Sequence, residues 1–172
     1  AEMPAHIECF DNSNLHGTNA VGAMVCFKNG EPSKKDYRHY NIETVTGIND
    51  FASMEEIVFR RYSKLQARKE ALPNLVIIDG GKGQLNAAVT ALRKLGLQQK
   101  IQLVGLSKNQ EEIFFPGDSA SLLLPWNSES LRLIRRIRDE VHQFGIQFHR
   151  LKRSGSSLKS GLENIPGIGP KT

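Results

Sequence analysis

Two aspartates stand where strand-like apolar segments end, and both are candidates for metal chemistry. Asp11 follows the alternating segment at residues 5–10, and Asp79 closes the wholly apolar run LVII at residues 75–78. A carboxylate in apolar surroundings needs a charged partner or a metal ion. Taken singly, each aspartate is explained equally well as a turn residue, because Asp11 begins the polar stretch DNSN and Asp79 precedes two glycines.

The two aspartates become more specific as a pair. In the fold predicted below, the first and fourth strands are neighbours at the centre of the sheet, so their C-terminal ends bring Asp11 and Asp79 together. Two carboxylates at such close range repel each other unless a divalent cation lies between them. Mg²⁺ and Mn²⁺ prefer oxygen ligands of this kind. The sequence therefore predicts a Mg²⁺ or Mn²⁺ site at this edge.

A third candidate, His142, flanks the apolar stripe of the last predicted helix. It belongs to a basic edge at helical spacing, with Arg135, Arg138 and His149. Most lone helical histidines are ordinary surface or core residues, and spacing leaves that alternative open. If this helix packs beside the two aspartates, His142 could bind the metal or act as a general base toward water.

The segment DGGKGQ at residues 79–84 lacks the spacing of a Walker phosphate-binding loop. Its first two glycines instead predict a tight turn that leaves room for a nucleic-acid backbone, and Lys82 is a candidate phosphate contact. Near the end of the chain, IPGIG resembles a helix-hairpin-helix element, in which backbone N–H groups around Gly167 and Gly169 would grip a phosphate. The second helix of that element is missing, so we expect a fragment of a longer protein.

The net charge of +5 is a weak indication of a polyanionic partner. Its distribution is more informative, because the basic residues fall into three clusters and acidic residues thin out after Glu140. The candidate DNA contacts are Arg38, Arg61, Lys82, Arg135, Arg138, His149, Lys152, Arg153, Gly167 and Gly169. No apolar run approaches the roughly 20 residues of a membrane span, and the first residues are unlike a signal peptide. Cys9 and Cys26 lie in apolar segments, typical of reduced core cysteines in a cytoplasmic protein.

The elements that must position these residues follow from hydrophobic periodicity. Alternation predicts three antiparallel strands, and longer-period and apolar segments then predict helices and strands in alternation. The predicted strands are 5–10, 20–28, 36–43, 75–78 and 101–106, with a hairpin at 112–115 and 121–124; the predicted helices follow Asp50, span 83–95, and follow a cap at Ser128 or Asn127. Asn29-Gly30 predicts a hairpin turn. This order predicts an α/β fold with a mixed, ribonuclease H-like sheet and helices on both faces.

Several motifs, in the same order along nearly the whole chain, make it similar to the UvrC family. They are IECFDNSN, DYRHYNI, RRYSKL, LPNLVIIDGGKGQLNAA, VGLSK, EEIFFPG, IRDEVHQFGIQFHRLKR and SLKSGLENIPGIGPK. The resemblance implies the C-terminal ribonuclease H-like endonuclease domain at residues 1–154, followed by a linker and a truncated helix-hairpin-helix motif at 155–172. It also implies a metal-dependent 5′ incision in bacterial nucleotide excision repair, on damaged DNA already bound by UvrB, whose own binding region is expected to be absent from this chain.

The resemblance places the catalytic and metal-binding residues at Asp11, Asp79 and His142, and so raises His142 above its ambiguous helical position. Asp50 matches an acidic position that some members share, although capping a helix explains it equally well. Asn12 stands where many members carry isoleucine, and it is expected to influence hydrogen bonds around the site. Two alternatives stay open, namely a resolvase-like nuclease of the same fold and a DNA-binding module without catalysis.

Overall fold

The computed structural model describes residues 4–15, 19–107, 112–117, 121–123 and 128–163. Within these ranges the strands are β1 (His6–Leu15), β2 (Asn19–Lys28), β3 (Glu31–Pro32), β4 (Arg38–Asn41), β5 (Leu75–Asp79), β6 (Gln102–Leu106), β7 (Glu112–Phe114) and β8 (Ser121–Leu123). The helices are α1 (Asp50–Ala67), α2 (Lys82–Lys94) and α3 (Glu129–Glu163). The predicted order of strands and helices is confirmed.

All eight strands join one mixed sheet in the order β3-β2-β1-β5-β6-β7-β8, and β4 also pairs with β2. The β1–β2 pair is antiparallel, whereas β1–β5 and β5–β6 are parallel. The short strands β7 and β8 continue antiparallel from β6. The first strand and the strand that ends in Asp79 are therefore neighbours, as the sequence predicted.

Helices cover both faces of the sheet. On one face, α1 and α2 bury Met54, Ile57 and Leu92 against Phe10 of β1. On the other face, α3 buries Ile137 and Val141 against a cluster that includes Cys9 of β1. Because side chains alternate along a strand, Asp11 shares the α3 face with Cys9. The predicted mixed α/β fold is confirmed, and its topology points Asp11 toward α3.

The predicted third strand at 36–43 corresponds to β4, which is shorter, and a short strand that was not predicted, β3, precedes it. β3 ends at Pro32, a single 3₁₀ turn occupies Lys34–Asp36, and β4 begins at Arg38. The Ser33 hydroxyl donates to Asp36 Oδ2 at 2.7 Å, and Lys28 pairs with the same carboxylate oxygen at 3.1 Å. These bonds hold the turn that separates the two strands. The preceding Asn29-Gly30 turn is confirmed, with φ values of 53° and 81°.

The last helix, α3, begins where the sequence predicted but extends further than expected. Ser128 Oγ accepts a hydrogen bond from the Leu131 N–H, which confirms the predicted cap. The sequence predicted a linker from residue 155, whereas α3 continues as helix to Glu163. Each residue added to an established helix gains one backbone hydrogen bond, which offsets the poor helix propensity of SGSS. Asn127 and the helix-hairpin-helix segment at 165–171 lie outside the described residues.

Two further expectations concern the chain as a whole. Among the described helices, none is both long and apolar enough to cross a membrane. Cys9 and Cys26 are buried thiols without a disulfide bond, as the sequence predicted.

Candidate active site

The pairing of β1 with β5 stops immediately before the two aspartates. The last parallel partners are Phe10 and Ile78, so Asp11 and Asp79 are the next residues on strands that no longer pair. β1 nevertheless continues along β2, where Asp11 lies opposite Ala23. This divergence opens a gap in the sheet with one carboxylate on each side.

His142 of α3 lies between these two carboxylates. Its Nδ1 is 3.0 Å from Asp11 Oδ2, and its Nε2 is 3.1 Å from Asp79 Oδ2. Exposure of the side chains rises from 0% for Asp79 to 12% for Asp11 and 36% for His142. The three residues singled out from the sequence therefore converge in a cleft that opens on the histidine side.

The three side chains fit a divalent metal ion. One donor atom from each lies within 4.8 Å of the others, close enough for a single cation. Asp11 Oδ1 is buried and accepts no hydrogen bond from the described residues, so it has capacity for a further ligand. Two carboxylates and one imidazole form a mixed oxygen and nitrogen donor set of the kind that divalent cations accept.

Arg138 lies one helical turn before His142 and faces the same site. Its Nε is 3.8 Å from Asp79 Oδ1, and its side chain is 12% exposed. The sequence placed Arg138 on a basic edge beside the apolar face, as a candidate DNA contact. In the structure its guanidinium lies beside the buried Asp79 carboxylate at the end of β5.

Cys9 lies close to the same carboxylates but does not join the donor cluster. Burial, followed by the negative charges of Asp79 and Asp11, raises the pKa of the Cys9 thiol well above its usual value. A thiol in this state is neutral and a poor metal ligand or nucleophile. Cys9 therefore acts as a core residue beneath the site.

Two predicted supporting residues, Asn12 and Asp50, contact each other on the side of β1 that faces α1. Asn12 is 9% exposed, and its Nδ2 donates to the Asp50 carbonyl oxygen at 2.7 Å. The cap of α1 is Asn49, whose side chain accepts from the Ala52 N–H, so Asp50 is a first-turn acid. Asp50 stands outside the metal-ligand cluster found among the described residues. Asn12 thus ties the start of α1 to the strand that carries Asp11.

The glycines after Asp79 permit close packing at the end of β5. The Gly80 N–H donates to the Leu106 carbonyl oxygen at 3.0 Å, which holds the turn against β6. A Cβ at Gly80 would lie 2.5 Å from Cγ of Gln84. Lys82 follows as the exposed first residue of α2, with its ammonium 5.5 Å from the centre of the Phe114 ring. A side chain at position 80 would therefore displace α2 next to the site.

The candidate DNA contacts separate into different environments. His149, Arg135 and Arg38 are all half-buried, and His149 Nε2 lies 2.6 Å from Ser13 Oγ of β1. Arg61 is 7% exposed inside an ion pair, so its assignment as a DNA contact is wrong. The side chains of Lys152 and Arg153, together with Gly167 and Gly169, lie outside the described residues.

The ion pair of Arg61 is a buried network that the sequence interpretation missed. Arg61 Nη2 lies 2.9 Å from Glu8 Oε2, and the Tyr62 hydroxyl donates to Glu8 Oε1 at 2.8 Å. Burial raises the pKa of Glu8, but hydrogen bonds from His6, Arg61 and Tyr62 and the Arg61 charge lower it to about 2. An acid in an apolar strand and a basic-aromatic pair in RRYSKL were the available signal. Neither indicated that the two would meet.

The chain is similar to known endonuclease domains. Residues 1–146 match the family model of the UvrC RNAse H endonuclease domain. UvrABC system protein C of Flavobacterium psychrophilum is 59% identical over 169 residues, and that of Streptococcus uberis is 51% identical over 175 residues. These matches cover 98% and 99% of this chain but 28% and 29% of the relatives. The chain therefore spans less than a third of the proteins that it matches.

Two solved structures are also similar to this chain. Human ENDOV has a TM-score of 0.45 at 13% identity, covering 62% of this chain and 46% of that one. Endonuclease V of Ciona intestinalis, in complex with DNA, has a TM-score of 0.43 at 18% identity, covering 88% and 57%. Family membership rests on the sequence match over residues 1–146. The chain belongs to the UvrC RNase H endonuclease domain family.

Proposed function

We propose that this domain is a metal-dependent DNA endonuclease that makes the 5′ incision of bacterial nucleotide excision repair. The observation that carries the proposal is the convergence of Asp11, Asp79 and His142 around a single position at the end of β5. Membership of a nuclease family supports the reaction class. The reaction would be hydrolysis of one phosphodiester bond.

Asp11, Asp79 and His142 would hold Mg²⁺ or Mn²⁺, which when bound supplies charge for the phosphate and lowers the pKa of water. Asp79 is the anchor of this set, since it is fully buried and β5 and β6 fix its backbone. Asp11 brings the opposite carboxylate from β1. Together the two carboxylates place negative charge on two sides of the cleft. A cation would bind between them, and the phosphate of the substrate would then bind beside the cation.

His142 contributes the nitrogen donor of the set. Its ring is the most exposed of the three, so it borders the side from which DNA would approach. A neutral imidazole can bind metal through one nitrogen or accept a proton from water. We assign it the ligand role first, because both ring nitrogens already lie about 3 Å from the other two donors.

The proposed substrate is damaged double-stranded DNA in a complex with UvrB. We assign lesion choice to UvrB and to the parts of the related proteins that this chain does not span. We therefore expect little sequence preference in this domain. Contacts to the DNA backbone would come from Lys82, Arg135 and His149 near the cleft. Binding through such contacts should weaken steeply with salt.

The test uses a full-length protein that contains this sequence, with UvrB bound to DNA carrying a single lesion. Asp11→Asn, Asp79→Asn and His142→Ala should each abolish the 5′ incision, while DNA binding stays near the unsubstituted level. Glu70→Gln is the matched control, since Glu70 is an exposed acid at the opposite end of β1 beside His6. Normal cutting by any of the first three variants would remove that residue from the mechanism. DNA binding without any metal-dependent cut in the unsubstituted protein would favour a binding module.

A further inference from the structure

We propose that five residues outside the metal site, Tyr37, His39, Glu140, Phe144 and Phe148, form a clamp that sets the rotation of α3 and so positions His142 between the two aspartates. This proposal rests on the proposed function in one respect, the metal role of His142. The α3 clamp, as we name these five residues, joins the segment before and within β4 to the outer flank of α3. It assigns a role to the DYRHYNI motif, which the metal site leaves unused.

The centre of the α3 clamp is a stack of three rings. The His39 ring lies 3.7 Å from the Phe144 ring, with 13° between the planes, and 4.3 Å from the Phe148 ring, with 8° between the planes. Two rings that are this near and this parallel to a third must cover its opposite faces. His39 is therefore inserted between two side chains that are one helical turn apart on α3.

Hydrogen bonds orient the same contact. His39 Nε2 donates to the Phe144 carbonyl oxygen at 2.9 Å, since a carbonyl can only accept. The Tyr37 hydroxyl donates to Glu140 Oε2 at 2.8 Å, and its ring meets Phe144 edge to face at 5.1 Å. Burial and then the hydrogen-bonded Glu140 carboxylate raise the pKa of Tyr37, so the phenol keeps the proton that it donates. β4 itself is fixed to β2, where His39 pairs with Ala23.

The clamp and the metal site lie on different flanks of α3. At about 100° per residue, Glu140 and Phe144 are roughly 160° and Phe148 roughly 120° around the helix axis from His142. Val141, at about 100° from His142, lies between the two flanks, whereas Ile137, at about 140°, lies on the clamp side. Both are buried against the sheet, and Phe144 packs against the same cluster. Contact through that apolar stripe fixes the rotation of α3 less firmly than hydrogen bonds do, because hydrophobic burial is not directional. The contacts of His39 and Tyr37 with α3 add directional constraints on its rotation.

A small roll would be sufficient to break the site. A side-chain atom about 5–6 Å from the helix axis moves by about 1 Å when the helix rolls by about 10°. Metal–ligand distances tolerate only about 0.2 Å. His149, which contacts Ser13 on the same flank as His142, limits the roll at the near side. The stacked His39 is therefore a positioning residue for His142, although it touches none of the three metal ligands.

The experiment compares His39→Ala with His39→Phe in the 172-residue chain. Phenylalanine keeps a flat ring between Phe144 and Phe148, whereas alanine removes it. Tyr37→Phe removes only the hydrogen bond to Glu140. Val58→Ala is the control for general loss of stability. Val58 belongs to α1 and is fully buried on the opposite face of the sheet.

Two readouts are needed. The first is the imidazole NMR signal of His142 without metal, which should be single in the unsubstituted chain and broadened or split in His39→Ala. The second is Mn²⁺ affinity by calorimetry, which should fall about tenfold or more in His39→Ala, a loss of the size expected when the orientation of a metal ligand is disturbed. His39→Phe should restore most of both, and Val58→Ala should change neither.

Unchanged His142 signals and Mn²⁺ affinity in His39→Ala would overturn the clamp. Equal losses in His39→Ala and Val58→Ala would also overturn it, because general destabilisation would then explain both. If the unsubstituted chain binds no Mn²⁺, the proposed metal site fails instead. The His142 signal still decides the clamp in that case, since it is measured without metal.

Discussion

Arg138 Nε lies 3.8 Å from Asp79 Oδ1, so a guanidinium and the imidazole of His142, one helical turn apart, both face one fully buried carboxylate. A buried carboxylate without positive charge nearby is costly. In the absence of metal, α3 therefore supplies the compensation for Asp79. This relationship couples the stability of the metal-free domain to the chemistry of its site.

Arg138→Met should destabilise the metal-free domain by about 2–3 kcal/mol, because Asp79 would lose a nearby cation while remaining buried. Saturating Mn²⁺ should recover much of that loss, since the cation would supply the missing charge and binds only the folded state. Urea unfolding with and without Mn²⁺ measures both quantities. An identical loss under the two conditions would show that Arg138 acts through packing alone.

The DNA-free domain should bind one Mn²⁺ tightly and a second cation much more weakly. Its cluster has two carboxylates, and the third donor is a neutral imidazole when it binds metal, so the negative charge is low for two cations. Calorimetric titration gives the stoichiometry. His142→Ala should also reduce the preference for Mn²⁺ over Mg²⁺, because it removes the only nitrogen donor of this cluster. Two equally tight sites would contradict this prediction.

The Glu8–Arg61 pair should make stability depend on acid pH. Glu8 has a pKa of about 2 in the folded chain against 4.5 for the unperturbed group, a shift worth about 3 kcal/mol. A lowered folded pKa means that the unfolded chain binds more protons, so this stability is present above pH 4.5 and is lost as pH falls toward 2.

Substituting Glu8→Gln tests that dependence. The variant should be about 3 kcal/mol less stable at pH 7, because Arg61 would stay buried opposite a neutral amide. Its stability should also fall less steeply than that of the unsubstituted chain between pH 4.5 and the acid transition. Parallel pH profiles for the two proteins would place the acid sensitivity elsewhere.

Salt dependence should distinguish the arginines that face DNA from those that do not. Arg61→Met should leave the slope of log affinity against log salt unchanged, because Arg61 is held by Glu8 within the fold. Arg135→Gln should lower that slope by about one if Arg135 contacts a phosphate. Fluorescence anisotropy with a labelled duplex measures both variants, after each is shown to be folded.

Most of the fold was accessible from local pattern. The alternation in β1 placed Asp11 on the same side as Cys9, and the apolar run of β5 required a strand covered on both faces. The short strand β3 and the turn that follows it were missed, because that turn depends on a bond from Ser33 to Asp36 and an ion pair from Lys28. The continuation of α3 through SGSS was missed because propensity per residue is a weak guide once a helix is established.

The sequence by itself determined the carboxylate pair, since a strand order with β1 beside β5 leaves Asp11 and Asp79 at adjacent strand ends. It left His142, Arg138 and Arg61 on helices whose rotation no local pattern specifies. Only the tertiary structure turned His142 and Arg138 toward Asp79 and Arg61 toward Glu8. The physical reason is that a strand's direction follows from its pairing, whereas a helix can roll on its apolar stripe until contacts such as those of His39 with Phe144 and Phe148 stop it.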